Sequence, residues 1–225
     1  MFDALTALAL CQYGDSAYPA GGFAFSWGVE GLAADGLLKG AADLDELIGE
    51  HLEARWSTMD RPLLRRAFRA ADLEAVAVID RLADVATPSA PMRDGSRRAG
   101  RALLGVSARL GHAKSQAYRA MLDDNPRLGH LPVVQAVVYR DAGLSLEAAE
   151  LVSGWTLVNG LASAAVRLGI IGHVEAQGSL IAARGQLAML VAELCPDELR
   201  PSSFTPLIDI AISRNPSRHV RMFTT

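Results

Sequence analysis

Three observations predict an all-α fold, a single-domain compact helical bundle of about eight to ten helices. Apolar positions recur at helical spacing in Ala- and Leu-rich segments that lack the alternation of β-branched residues expected of strands. Start and stop residues stand at the ends of those segments: Asp43, Asp72 and Ser145 as N-caps, Pro62 and Pro132 in first turns, Gly143 and Gly169 just past the last ones. The 225 residues are 50% hydrophobic and 21% charged, enough for one sizeable core and short for two, so residues 1–225 are expected to form one domain.

In chain order, Leu5, Leu8 and Ala9 space a short helix over 3–12. It leads into the most unusual stretch of the chain, residues 14–31, dense in glycine and aromatic side chains. Pro19 fixes its own φ and turns the chain through Ala20, Gly21 and Gly22. That turn feeds a helix expected over 22–34, with Phe25, Val29 and Leu32 on one side and Phe23 and Trp27 on another. A helix apolar nearly all round must be covered on more than one face, by the chain's own core or by a partner. Glu30, beside Trp27 and Val29, is costly to bury unpaired and reads as the partner of an arginine or of backbone donors, or as a group put to use.

Asp43 caps a helix expected through Ser57, with Leu44, Leu47, Ile48, Leu52 and Trp56 on one face and Glu46, Glu50 and Glu53 away from it. Pro62 opens a helix through Ala70, and Asp72 caps 73–85. Arg61, Arg65 and Arg69 recur four apart as a basic stripe, either a solvated face or a docking surface for an acidic partner. After a loop with Pro88 and Pro91, a long helix runs from Met92 to about Leu110, and Gly100 lets it pack closely. A second loop over 123–132 precedes the helix from Pro132 to Ala142. Ser145 starts the longest element, reaching Leu168, in which Gly160 and Ala164 permit a close helix crossing. The helix from His173 to Leu194 ends at Pro196, and its interior Gly178 and Gly185 mark close packing or the approach of a partner. The tail over 201–225 is apolar beyond Pro216 and reads as a segment that docks.

Several chemistries are excluded. The net charge of −3 argues against generic nucleic-acid binding, which needs clustered cations. The N-terminus lacks a basic n-region and no apolar run reaches the ~18 residues that span a bilayer, so a cytoplasmic protein off the membrane is expected. There is no Gly-x-x-x-x-Gly-Lys-[Ser/Thr] phosphate loop. The five histidines never stand three or four apart, so a metal site would need ligands from distant segments, and no cofactor is expected. Cys11 and Cys195 read as reduced, buried, small apolar residues, with a weak metal contact as the second reading of Cys11. Ala24-Phe25-Ser26-Trp27-Gly28 nearly matches a Gly-x-Ser-x-Gly nucleophile elbow, but the Pro and Gly before it cannot form the strand an elbow needs. A non-enzyme that acts through surfaces is the expectation.

The run from Ser16 to Glu30 resembles the signature of the UreF family of urease accessory proteins, a pattern close to S-x-x-P-x-G-G-[FY]-x-x-S-x-G-[LV]-E. The resemblance continues in Arg93-x-x-Ser96-x-x-x-Gly100-x-x-x-Leu104, in His130-Leu131-Pro132 and in Trp155-x-x-x-Asn159. It departs at Gly172-His173, where the family carries Gly-Gln. The tail keeps Arg221-Met222-Phe223 of an Arg-Leu-Phe-x-Ser ending and has Asn215 and Pro216 where Met-x-His-Glu is usual.

The resemblance implies a non-catalytic chaperone of nickel insertion that bridges a UreD-type protein (UreH in some species) and the GTPase UreG. It further implies docking on apo-urease, a homodimer within that complex, and coupling of the GTPase state to nickel delivery. The partner-binding residues it implies are Pro19, Gly21, Gly22, Phe23, Ser26, Gly28 and Glu30 from the motif, with Arg221 and Phe223 from the tail. Arg221 and Phe223 are expected to pack on the Gly21–Phe23 turn when the UreD-type partner binds. The competing expectation is a divergent helical paralogue or regulator that kept the fold without the urease partners.

Overall fold

Local signals account for most of the helix boundaries. In the computed structural model, which describes residues 3–19, 22, 25–214 and 222–223, the side chain of Asp3 accepts from Thr6 N–H at 2.7 Å and starts α1, Ala4–Gly14. Asp72 does the same for α5, Leu73–Ala86, through Ala75 N–H, and Ser145 for α9, Leu146–Arg167, through Ala148 N–H. Pro91 and Pro132 sit in the first turns of α6, Ala90–Arg109, and α8, Leu131–Asp141. Gly143 takes φ 81° after α8 while its N–H and that of Leu144 return to Arg140 and Tyr139 carbonyls, closing the helix end. Between α6 and α8 lies α7, Ala113–Asp123, and α10, His173–Ala192, and α11, Pro206–Arg214, complete the later part of the chain. No strand occurs among the described residues.

Two early elements differ from the sequence expectation. The helix expected over 22–34 is only α2, Val29–Ala34. Trp27 at φ 51° and Gly28 at φ 101° are both left-handed, which no right-handed helix accommodates, so residues 25–28 form a turn. The helix expected from Asp43 begins at Ala41 as α3, Ala41–His51, with Gly40 in the cap position. Asp43 instead accepts from Lys39 N–H at 2.7 Å and fastens the preceding loop. Beyond His51 the chain continues as a π-helical segment, Leu52–Asp60, and then as α4, Arg61–Arg69, all one rod, giving ten separate rods among the described residues.

Buried apolar residues fall into two cores. One gathers Val29, Leu44, Leu52, Trp56, Leu161, Leu187, Ile208 and Phe223 from α2, α3, the π-segment, α9, α10, α11 and the tail. The other gathers Met59, Leu63, Leu64, Leu103, Tyr118, Val134 and Val152 from the π-segment, α4, α6, α7, α8 and the first half of α9. The π-segment, α9 and α6, whose Met92 and Ala99 belong to the first core and Leu103 and Leu104 to the second, therefore run through both.

The arginine stripe is buried at Arg61, half-buried at Arg65 and exposed at Arg69, and all three are paired within the chain. Arg61, 3% exposed, donates to the carbonyls of Leu190, Val191 and Glu193 at 2.6–3.0 Å and caps the C-terminus of α10. Arg61 and Arg65 both pair with buried Glu150, while Arg66 and Arg69 bind Asp197 in the segment beyond. Carbonyls left without partners at a helix end carry negative charge, which is what this face of guanidinium groups meets.

The glycines also sort differently. A Cβ at Gly100 would stand 3.0 Å from Leu131 N and inside contact distance of Gly129 O, so α6 crosses the start of α8 as closely as expected. Gly160, Gly178 and Gly185 have nothing within 4 Å of such a Cβ, so the expected close crossing at Gly160 is absent, and so is close packing at the other two. The tight crossing of α9 lies one and a half turns earlier, where Gly154 meets Trp56 and Leu187. Cys195 is buried as expected, whereas Cys11 is exposed.

Candidate functional site

The turn over 25–28 is held from several sides. Ser26 is fully buried, and its carbonyl accepts from Val29 N–H at 3.1 Å. The rings of Phe25 and Trp27 stand 5.4 Å apart, and the Trp27 carbonyl lies 3.0 Å from Nε2 of His51. Burial, helped by Arg55, pulls the His51 imidazole down to a pKa of about 3, so it is neutral and donates from Nε2. Such a bond gives the left-handed Trp27 a fixed partner; strain of this kind persists only where its surroundings over-determine it.

Gly28 and Gly31 form the floor on which α11 lies. A Cβ at Gly28 would touch Ile208 at 3.0 Å, and one at Gly31 would meet the Ala211 carbonyl oxygen at 2.6 Å. Between them on α2, Glu30 reaches the tail. One of its carboxylate oxygens accepts from Met222 N–H and the other from Phe223 N–H at 3.3 Å. Phe223 is buried, with the Arg167 guanidinium 4.3 Å above its ring. Glu30 thus accepts from backbone donors, the partnership that its burial called for.

Ser26, Gly28, Glu30 and Phe223 are therefore brought together around α2, α11 and the tail. Pro19 is exposed, and Gly22 is half-buried with its carbonyl on Phe25 N–H. Gly21, Phe23 and Arg221 lie outside the described residues. Three contributors were not singled out from the sequence: Gly31, legible in principle from its spacing with Gly28, and His51 and Arg167, whose roles depend on distant segments.

This arrangement holds surfaces together. Ser26 is fully buried in a turn that enters a helix, whereas a nucleophile elbow presents its serine hydroxyl at the surface of the site. No group of three or more His, Cys, Asp or Glu among the described residues could hold a metal ion. No described helix is long and apolar enough to cross a membrane. Exposed Leu37, Phe204, Leu207, Ile210 and Met222 belong to the same elements that meet at Glu30 or adjoin them.

Comparison with known proteins agrees along most of the chain. The family model described as UreF matches residues 38–184. The urease accessory protein UreF of Trichodesmium erythraeum is 32% identical over 226 residues, covering 96% of this chain and 95% of that protein. The urease accessory protein UreF of Paenarthrobacter aurescens is 29% identical over 220 residues, with 96% of each covered. That of Yersinia pestis is 26% identical over 226 residues, covering 96% of this chain and 97% of the relative.

Proposed function

Because this chain belongs to the UreF family of urease accessory proteins, we propose that it serves urease maturation as a bridge between a UreD-type protein and a UreG-type GTPase. Its part in maturation is non-catalytic. In this reading the chain is one helical domain in the cytoplasm that dimerises within the complex, docks with its partners on apo-urease, and couples the GTPase state to nickel delivery.

The observation that carries the reading is the clasp of Glu30 on Met222 and Phe223. It joins the two parts of the sequence that resemble the family's partner-binding motifs. Around it, Leu37, Phe204, Leu207, Ile210 and Met222 offer apolar side chains to water, a feature of docking surfaces. Pro19, Gly21, Gly22, Phe23, Ser26, Gly28, Glu30, Arg221 and Phe223 act on this reading by shaping that surface. Buried Ser26, Gly28 and Phe223 would act from beneath it, by fixing the turn and the tail.

The test is co-expression of the tagged chain with its cognate UreD-type and UreG-type proteins, followed by size-exclusion chromatography and nickel analysis. A ternary complex that Leu207→Glu or Met222→Glu weakens is the expected result. Clean separation of three folded proteins would overturn the bridge, and a complex indifferent to both substitutions would move the contact to another face.

A further inference from the structure

Pro62 stands inside a rod rather than at the start of one, since the π-helical segment runs into α4 without a break. In an α-helix the N–H of residue 62 would bond the carbonyl four residues back, and proline has no N–H to give. That carbonyl belongs to Thr58, and a donor reaches it from a distant segment: Ser202 N–H lies 3.1 Å away. One turn earlier along the rod, the Ala54 carbonyl accepts from Phe204 N–H, also at 3.1 Å. Residues 202 and 204 belong to a strap that joins α10 to α11.

The strap is held by its main chain. From Pro196 to Phe204 no side chain is buried. The carbonyls of Asp197 and Leu199 accept from the Arg66 guanidinium at 2.7–2.9 Å, and the Asp197 side chain pairs with Arg69 at the surface. Together with the two N–H groups on the rod, these contacts fix the path of the strap and leave its side chains to face water. Phe204 is 80% exposed and is the one exposed aromatic side chain among the described residues. Its own N–H is bonded, so the ring projects from a fixed backbone, and less freedom is lost when such a ring docks. Aromatic side chains are enriched at the centres of protein interfaces, where a partner's pocket takes them out of water. Exposed Leu199 and Leu207 flank Phe204 along the chain and continue the apolar surface.

We propose that Phe204 is the anchor of the partner-binding surface, its ring entering an apolar pocket of a protein partner, and that Pro62 is the positioning residue behind it, reserving the Thr58 carbonyl for the strap. The proposal rests on the reading that the chain bridges urease-maturation partners. Pro62 is itself buried, so a partner does not touch it. Alanine at that position would supply the N–H that proline withholds and compete with Ser202 for the same carbonyl, loosening the strap from beneath.

Hydrogen exchange on the full chain alone reads the strap. The amides of Ser202 and Phe204 are expected to be protected, and Pro62→Ala to speed their exchange about three- to tenfold, the net worth of a hydrogen bond. Ser202→Pro removes the donor itself and asks the same of the Phe204 amide, while circular dichroism reports whether each variant is folded. Titration calorimetry against the cognate UreD-type and UreG-type proteins, singly and together, reads the anchor. Phe204→Ser is expected to weaken binding roughly thirtyfold or more, and Phe204→Tyr to keep it. Pro62→Ala is expected to weaken the same complex only while the ring is present, a dependence that a general loss of stability would not show. Rapid wild-type exchange at both amides, exchange unmoved in both folded variants, full affinity of Phe204→Ser for its partners, or equal losses from Pro62→Ala with and without the ring would each overturn the proposal. So would a Phe204→Ser chain that lost self-association alone. A wild-type chain that binds neither partner would overturn the bridging reading as well.

Discussion

Gly100 and Gly185 make opposite predictions from the same residue type. At Gly100 a methyl group would press on the Gly129 carbonyl and on Leu131 N, so Gly100→Ala is expected to cost about 1–3 kcal/mol, as overpacking does. At Gly185, on the open side of α10, alanine meets nothing and is expected to stabilise by about 0.5–1 kcal/mol through helix propensity alone. Urea midpoints at unchanged slope measure both. A neutral Gly100→Ala would mean that α6 and the turn before α8 can move apart. The sequence showed the cost of each helix-interior glycine but not what stood opposite it. Gly100 read correctly and Gly160 did not, because close approach depends on which segments cross.

Among elements, local chemistry explains where the reading succeeded. Caps and punctuating prolines act within a few residues, so α5, α8 and α9 were legible nearly to their ends. The start of α2 was not, because apolar spacing over 22–34 suits a helix while two consecutive left-handed residues are a backbone fact. The π-helical segment left no trace either, since its Trp56 packs on Gly154 of a distant helix. The arginine stripe was visible as a stripe, yet its partner, the end of α10, lies about 130 residues away. That partnership sets a prediction at this scale. Glu150→Ala would leave Arg61 buried without its counter-charge and is expected to cost about 3–5 kcal/mol, whereas Arg69→Ala, losing an exposed pair, should cost under about 1 kcal/mol. Equal, small losses in denaturant melts would show that the carbonyls of α10 satisfy Arg61 without Glu150.

At the scale of the whole molecule, two cores share one rod and two long helices, α6 and α9, and the groups between them set how stability responds to acid. His51 is held neutral down to about pH 3, while in the unfolded chain it protonates near ~6.5. The unfolded state therefore binds the extra proton between those values, and stability is lost as pH falls through that window. His51→Gln, which keeps an N–H for Trp27, is expected to remove up to about 1.4 kcal/mol per pH unit of that slope. Burial raises the Asp60 and Asp80 carboxyls, which act in the opposite sense within the acid range, so the comparison is made between wild type and variant. Denaturation at pH 7.5 and pH 5 checks it, and parallel curves for the two proteins would deny His51 the role. The same scale contains the contact that spans most of the chain, Glu30 on residues 222 and 223. The donors of these two bonds are main-chain N–H groups, so they accept any letter but proline at position 222, with an aromatic ring following at 223. Substitutions of Met222 can therefore drift without undoing these two bonds, whereas deleting it would pull the ring out of step. The chain's end is fastened by counting rather than by spelling.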